Sequence, residues 1–267
     1  MRSGAIVLAY NQQEYLGYCL RALLPSVDHV VALLPDAPFV RYNPEARREF
    51  TGIDATPRIL AELDAEFDGL TVVEGRWDDE PEMRNEGLGR LRELGVEVCL
   101  SVDADEFYPD GGVARLLAAV EADASPGAVY YARYHTCYRS FERRVVSDHR
   151  MAVAVHLADD TYFPRRRAAT GARRDLPDDH LFWNMGYVLS DERMWEKIRT
   201  WSHAHEVLDG WWRDKWLGFT PETRDLFRKE PASRWPCTVP VDPGELPAIL
   251  RGHPYFPRER GAPGAHP

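Results

Sequence analysis

The chain has 267 residues, 44% of them hydrophobic, which is enough for one sizeable domain or a domain with a small subdomain. Its 33 basic and 43 acidic side chains give a formal net charge of −10, and this argues against a nucleic-acid binder that gains affinity by neutralising phosphates. No apolar run approaches the roughly 18 residues of a membrane span, and the N-terminal run AIVLAY is too short for a signal peptide, so we expect a cytoplasmic protein. Cys19 and Cys99 fall in apolar segments and no C-x-x-C pair occurs, which predicts buried free thiols.

The first 125 residues alternate predicted strands and helices. Short apolar runs predict four strands, at 4–10, 29–34, 70–75 and 96–102. Apolar residues at helical spacing predict helices at 14–24, at 54–66, from about Glu80 with Pro81 in the first turn, and at 113–120. Strands that are apolar on both faces and separated by helices indicate an α/β fold, with a mostly parallel sheet flanked by helices.

The character of the sequence changes after about residue 126. Residues 127–135 and 145–157 look like strands that are partly antiparallel, and the arginine-rich segment 163–174 looks like an exposed loop. Seven of the eight tryptophans lie between Trp183 and Trp235. We therefore divide the chain into an α/β half at 1–125, a second half of the same domain at 126–252 and a disordered tail at 253–267.

Polar side chains follow each of the four predicted strands. In an open parallel sheet, ligands bind beyond the carboxyl ends of the strands, and all of these side chains fall at that edge. They are Asn11 after the first strand, Asp36 after the second, Arg76 and Trp77 after the third, and Asp103 and Asp105 after the fourth. The sequence therefore predicts one crevice in which these groups converge.

The fourth strand ends in SVDADEFY, which places three carboxylates, Asp103, Asp105 and Glu106, in four positions. Like charges at this spacing repel, and a carboxylate resists leaving water, so the group needs an external partner. A divalent cation is the obvious one, because Mg²⁺ and Mn²⁺ prefer oxygen ligands. Glu106 is either a supporting partner in this site or an acid at the start of a helix.

Arg84 is a further polar residue in an apolar setting. It shares a helix face with Leu88 and Leu91, which are expected to point at the sheet. A guanidinium on such a face needs an anion, which is either a ligand phosphate or a carboxylate such as Asp103. A plain structural ion pair is the alternative to a role in ligand binding.

The segments VLAYNQQEYLGYCLRALLP, DATPRIL, MRNEGL and LSVDADEF together resemble the GT-A glycosyltransferases, in particular the family-2-like branch. The resemblance covers residues 4–122 and includes a D-x-T, an R-N pair and a D-x-D in order. Gln12 departs from it, since the family often has Glu there. The resemblance implies a GT-A (Rossmann-like) fold, a nucleotide-sugar-binding half at 1–125 and a C-terminal acceptor-side subdomain.

The resemblance also implies roles for individual residues. The donor nucleotide sugar would be held by Ala9, Tyr10, Asn11, Glu14, Asp36, Arg84, Asp103 and Ala104. Asp103 and Asp105 would bind Mg²⁺ or Mn²⁺, which stabilises the departing nucleoside diphosphate. Asp54 and Thr56 match the D-x-T, although Asp54 is equally well explained as the cap of its helix.

The second half offers weaker candidates. His180 resembles a family histidine and is our predicted third metal ligand, with a structural histidine as the alternative and His203 as a substitute. Asp178 or Asp179 is the predicted general base, and loop acids without a role are the alternative. The arginines of 163–174 form either a solvated face or a loop that closes over the donor. Tryptophans 211, 212 and 216 are expected in the core, with an acceptor-stacking role for two of them at most.

These observations predict a metal-dependent glycosyltransferase that moves a sugar from a nucleotide-sugar donor to a small-molecule, peptide or glycan acceptor, with inversion at the anomeric carbon. One alternative is a metal-dependent nucleotidyltransferase or phosphohydrolase. The other alternative is a non-catalytic module that binds nucleotide sugars.

Overall fold

The computed structural model describes residues 1–39 and 54–257. Within these ranges one sheet contains eleven strands. They are β1 (Ser3–Leu8), β2 (His29–Pro35), β3 (Leu70–Gly75), β4 (Val98–Asp103), β5 (Glu106–Phe107), β6 (Ala128–Tyr138), β7 (Ser140–Val145), β8 (Arg150–His156), β9 (Ala172–Asp175), β10 (Leu181–Tyr187) and β11 (Thr238–Pro240). The α-helices of the same ranges are α1 (Leu16–Leu23), α2 (Thr56–Glu66), α3 (Glu80–Glu93), α4 (Gly112–Asp123) and α5 (Asp191–Thr200).

The sheet runs in the order β11-β7-β6-β8-β4-β1-β2-β3, with β5, β9 and β10 beside this path. Strands β3, β2, β1 and β4 are mutually parallel, whereas β8 is antiparallel to both β4 and β6. Strand β10 runs parallel to β6 and antiparallel to β5. The predicted α/β fold class is confirmed, with a mostly parallel first half and the partly antiparallel second half expected from the sequence.

Helix α3 shows why the predicted helices formed where they did. The Asp79 side chain caps it by accepting a hydrogen bond from the Glu82 N–H at 2.9 Å, and Pro81 lies in the first turn. Its buried face carries Arg84, Leu88 and Leu91, as the apolar spacing predicted. Helix α3 therefore packs on the parallel strands and points its N-terminus at their carboxyl ends.

The tryptophan-rich part of the second half forms its own core. Trp211 and Trp216 are buried against Tyr138, Tyr187 and Trp235. The prediction that the tryptophans at 211 and 216 are core residues is confirmed. This core supports the end of β10 and one face of α5, and the end of β10 and the C-terminal half of α5 reach the cleft described below.

Several details differ from the sequence-based expectations. Arg167, inside the predicted exposed loop, is buried, and residues Ala172–Asp175 of that segment form β9. The chain packs beyond residue 252, because His253 is buried and stacks on Tyr15, whereas 258–267 lie outside the described residues. Cys19 and Cys99 are buried free thiols, as predicted. No helix in the described ranges is long and apolar enough to cross a membrane.

Candidate active site

A cleft of about 430 Å³ opens at the carboxyl ends of β1 and β4, where the two halves of the chain meet. The first half contributes Tyr10, Asp103 and Asp105 to its lining. The second half contributes Asn184 from β10 and Lys197 from α5. The predicted convergence of polar groups at this edge is therefore found for Asp103 and Asp105 after β4, whereas Asn11, predicted after the first strand, does not line the cleft.

Asp103 is held by two arginines. Arg84 Nη2 donates to Asp103 Oδ1 at 2.6 Å, and Arg167 Nη1 donates to Oδ2 at 3.3 Å. Partial desolvation favours the neutral acid, but Arg167 and Arg84 outweigh it and hold the pKa of Asp103 below its usual range. The Asp103 side chain is still 39% exposed, so an ionised carboxylate faces the cleft.

Arg84 lies behind Asp103 and is completely buried. It also donates to Glu80 Oε1 at 2.9 Å and to Ser101 Oγ at 2.6 Å. Of the two anions proposed from the sequence, the carboxylate of Asp103 is the one that Arg84 meets. Direct contact between Arg84 and a donor does not fit this geometry, because the guanidinium has no exposed surface.

Glu106 and Arg167 form a buried ion pair. Arg167 Nη2 donates to Glu106 Oε2 at 2.7 Å, and Arg167 Nε donates to the Ala152 carbonyl at 2.8 Å. Glu106 Oε2 also accepts from the Asp103 N–H at 3.0 Å. Glu106 thus fixes the backbone at the end of β4, and it lies in β5, not at the start of a helix.

Asp105 is held by residues of the second half. Lys197 Nζ donates to Asp105 Oδ2 at 2.7 Å and to the Gly186 carbonyl at 3.1 Å, and Asn184 Nδ2 donates to Asp105 Oδ1 at 3.3 Å. A Cβ at Gly186 would lie 2.6 Å from Asp105 Oδ2 and 2.9 Å from Lys197 Nζ. A larger residue at position 186 would therefore require the Asp105 or the Lys197 side chain to shift.

The carboxylates do not fit the predicted divalent cation in this arrangement. All four carboxylate oxygens of Asp103 and Asp105 accept hydrogen bonds from Arg84, Arg167, Asn184 or Lys197. Among the described residues, no group of three or more His, Cys, Asp or Glu side chains is placed to hold a metal ion. The charge that the sequence assigned to a metal is supplied here by Arg84 of the first half and by Arg167 and Lys197 of the second.

The other predicted donor residues are dispersed. Tyr10 lines the cleft, whereas Ala9 and Ala104 are buried in the hydrophobic core, which leaves their side chains no contact with a donor. Asp36 pairs with Arg76 at the surface, with 2.6 Å between Oδ2 and Nη2. Its place at the edge of the sheet is as predicted, but it does not line the cleft among the described residues.

Asn11 and Glu14 belong to a network beside the cleft that is centred on Arg193. Arg193 donates to Glu14 Oε1 at 2.7 Å, to Asp54 Oδ2 at 2.6 Å and to the Asn11 carbonyl at 3.1 Å. Asp54 Oδ1 accepts at 2.8 Å from the N–H of Thr56, the first residue of α2, although the N-cap position of that helix is Ala55. This network attaches α5 to the turn after β1.

Asp178, Asp179 and His180 do not reach the cleft, and their predicted roles there do not fit the structure. Asp178 pairs with Arg133 at 2.8 Å, and His180 Nδ1 lies 3.1 Å from Asp179 Oδ1. The physical reason is the register of β10: its residue beside Asp105 is Asn184, four positions after His180 and roughly 13 Å along the strand.

A cationic and aromatic wall closes the cleft on the side of the second half. Arg228 is buried over the Trp201 ring, 4.7 Å from its centre, and donates to the Tyr187 hydroxyl at 3.0 Å. Glu206 pairs with Lys229 at 3.1 Å and with Arg166 at 3.2 Å. The described lining of the cleft holds six Lys or Arg residues and four Asp or Glu residues, so its net charge favours an anionic ligand.

His203, the substitute metal ligand, lies in this wall. Burial lowers the pKa of His203 to about 3, and Arg228 and Arg166 add to the effect. Its ring contacts Arg166 and Glu206. The neighbouring guanidinium makes this position unsuited to a cation, so a metal-binding role for His203 does not fit.

No protein-family model and no curated protein matches the sequence. Solved structures do match: S. aureus TarS 1–349, a GT-A glycosyltransferase, has a TM-score of 0.46 and 16% identity over 74% of this chain and 64% of that one. TarS 1–349 in complex with UDP-GlcNAc matches at a TM-score of 0.45 and 17% identity, over 68% and 58%. The 4-diphosphocytidyl-2C-methyl-D-erythritol synthase of Anaerococcus prevotii follows at 0.36 and 11%, over 73% and 94%.

This chain spans less than two thirds of the length of the TarS structures that it matches. At these TM-scores the likeness to TarS assigns no activity, and the functional proposal therefore depends on the geometry of the cleft.

Proposed function

We propose that this chain is a glycosyltransferase that uses a nucleotide-sugar donor. The observation that carries the proposal is the cleft itself, in which an ionised Asp103 faces a wall of lysine, arginine and aromatic side chains across the ends of β1 and β4. A nucleotide sugar offers matching groups, because its ribose hydroxyls donate to a carboxylate and its diphosphate is a polyanion. The sugar and the base present faces that stack on aromatic rings such as Trp201 and Tyr134.

The reaction in this proposal is a single displacement with inversion. The acceptor oxygen forms a bond to the anomeric carbon while the bond from that carbon to the phosphate oxygen breaks. The bonding electron pair leaves with the nucleoside diphosphate, and the acceptor proton passes to a carboxylate. Since Asp178 and Asp179 lie elsewhere, the base is one of the carboxylates that line the cleft.

Incubation of the purified chain with UDP-, GDP-, CDP-, ADP- and dTDP-sugars in the presence of an acceptor library tests this proposal. We expect mass spectrometry to show a glycosylated acceptor and the free nucleoside diphosphate for one donor class. Asp103→Asn should abolish the product, whereas Asp214→Asn, a matched change in the exposed ion pair with Arg213, should not.

Three other results would contradict the proposal. Release of inorganic phosphate indicates a phosphohydrolase, and a new nucleotidyl bond indicates a nucleotidyltransferase. Tight donor binding without product across the acceptor library indicates the non-catalytic module.

A further inference from the structure

The site disagrees with the metal dependence that the GT-A resemblance implies. We propose that the glycosyltransferase proposed above binds the diphosphate of its donor without a divalent cation, and that the ammonium group of Lys197 occupies the position that the cation would take at Asp105. This inference depends on the proposed function for the identity of the ligand. It depends on the contacts of Lys197 for the absence of a metal requirement.

Both carboxylate oxygens of Asp105 already accept hydrogen bonds. Its Oδ2 lies 2.7 Å from Lys197 Nζ, and its Oδ1 lies 3.3 Å from Asn184 Nδ2. A divalent cation would have to displace the ammonium group, since Mg²⁺ requires a near-ideal octahedron of oxygens at about 2.1 Å. It would also sit beside a fixed positive charge, because Lys197 is anchored to the Gly186 carbonyl at 3.1 Å.

The ion pair of Asp105 and Lys197 is closely packed against β10. The Cβ that any other residue would place at position 186 falls 2.6 Å from Asp105 Oδ2 and 2.9 Å from Lys197 Nζ. A side chain at this point of β10 would push the ammonium group or the carboxylate aside, so the glycine keeps the two in contact.

Lys197 has more N–H groups than it uses in hydrogen bonds to the described part of the protein. An ammonium group has three N–H donors, and the described partners, Asp105 and Gly186, take two of them. Lys197 lines the cleft with its side chain 18% exposed. One N–H donor is thus available to a phosphate oxygen, in the position from which a metal would act.

The cationic wall of the second half adds further positive charge to the cleft. Arg166, Arg228 and Lys229 line the cleft on the same side and share Glu206 as a partner. Arg228 and Lys229 alone place two cations beside this carboxylate, and their excess of positive charge suits a leaving diphosphate. The protein therefore supplies both the point charge and the surrounding field that a metal would provide.

Isothermal titration of the full chain with UDP, GDP, CDP, ADP and dTDP, each in EDTA and again in excess Mn²⁺, tests the inference. We expect the nucleotide that binds to have dissociation constants within about twofold of each other in the two buffers. Lys197→Met should weaken binding by at least about tenfold, because a charge-assisted hydrogen bond is lost. The control Lys215→Met, at a lysine that contacts the Arg224 carbonyl outside the cleft, should leave it unchanged.

The outcomes separate the two proposals. Nucleotide binding that appears only with Mn²⁺ would overturn the metal-independent role of Lys197 and leave the proposed transferase standing. Equal binding in EDTA and Mn²⁺ that Lys197→Met does not weaken would overturn the assignment to this lysine. A chain that binds none of the five nucleotides in either buffer and transfers no sugar would overturn the proposed function and this inference with it.

Discussion

The two halves of the chain contribute opposite charges to one site. The first half is regular, and its parallel strands place Asp103 and Asp105 at a sheet edge by simple topology. The second half is irregular, and it carries Arg167, Asn184 and Lys197 to those carboxylates from 64 to 92 residues away. The position of the acids at the sheet edge could be predicted from a short local motif, whereas the residues that pair with them are set by long-range contacts.

A buried carboxylate without a countercharge is costly, so each half needs the other. The first half cannot bury Glu106 unless Arg167 is in place. Among the described residues, Arg167 pairs only with Glu106 and Asp103, and both belong to the first half. The contrast between the halves can therefore be tested by removing one partner at a time.

The largest effect is expected for Arg167→Met. This change leaves the completely buried Glu106 without its cation, and we expect the free energy of unfolding to fall by about 3–5 kcal/mol in urea denaturation. Arg165→Met, at an exposed arginine two positions earlier, is the matched control and should change little. A second replacement, Glu106→Leu, should restore much of the loss in the double variant. A loss below about 1 kcal/mol for Arg167→Met would show that the halves are not coupled through this pair.

A smaller effect is expected for Gly186→Ala. The added methyl group must push Lys197 away from Asp105, so the unfolding free energy should fall by about 1–3 kcal/mol and nucleotide affinity should fall with it. Gly89→Ala in α3 is the control, because a Cβ there meets nothing within 4 Å. That variant should gain up to about 1 kcal/mol from helix propensity. Equal behaviour of the two alanine variants would contradict the close packing described for β10.

The helix caps separate stability from function. Asp79→Ala in the first half and Ser190→Ala in the second each remove a side chain that accepts a hydrogen bond from a first-turn N–H. Each should lower the unfolding free energy by about 1 kcal/mol. We expect Ser190→Ala to weaken nucleotide binding more than Asp79→Ala, since α5 carries Lys197 into the cleft. Calorimetry of the two variants checks this, and the opposite order would indicate that α5 does not contact the ligand.

A pH dependence of stability that comes from the second half gives a further test. Burial, with Arg144 and Arg133 nearby, lowers the pKa of His135 to about 4, and the pKa of His203 is lowered to about 3. The unfolded chain protonates both near pH 6.5, so the stability they contribute is present above that pH and is lost as the pH falls towards 4 and 3. The melting temperature should therefore be lower at pH 5 than at pH 7.5, and His135→Gln should reduce the difference. A melting temperature that does not change over this range would contradict the buried neutral histidines.

The parallel half of the fold could be predicted from its sequence because each element there has a local signal. Strand β3 was predicted with its observed bounds, and α3 begins at Glu80 as Pro81 suggested. The need of Arg84 for an anion was also predictable, because no charged side chain is stable alone in an apolar stripe. The structure shows that Asp103 is that anion.

The partners of the acids could not be predicted in the same way. Arg167 lies in a run of arginines that has the appearance of a solvated loop, and Lys197 lies on a helix whose sequence is largely polar. The sequence predicts His180 at this point, whereas the structure places Asn184 there, because the register of β10 depends on its pairing with β5 and β6, which no local pattern encodes. Burial and register, both long-range properties, decided which residues form the site.

Hydrogen exchange of the full chain with and without the nucleotide sugar that it uses tests most directly whether both halves form one donor site. The account predicts ligand-dependent protection in two separate segments, 101–107 at the end of β4 and 191–203 along α5 and the residues after it. Protection confined to one of these segments, or found elsewhere in the chain, would contradict a donor site shared by the carboxylates of the first half and the cations of the second.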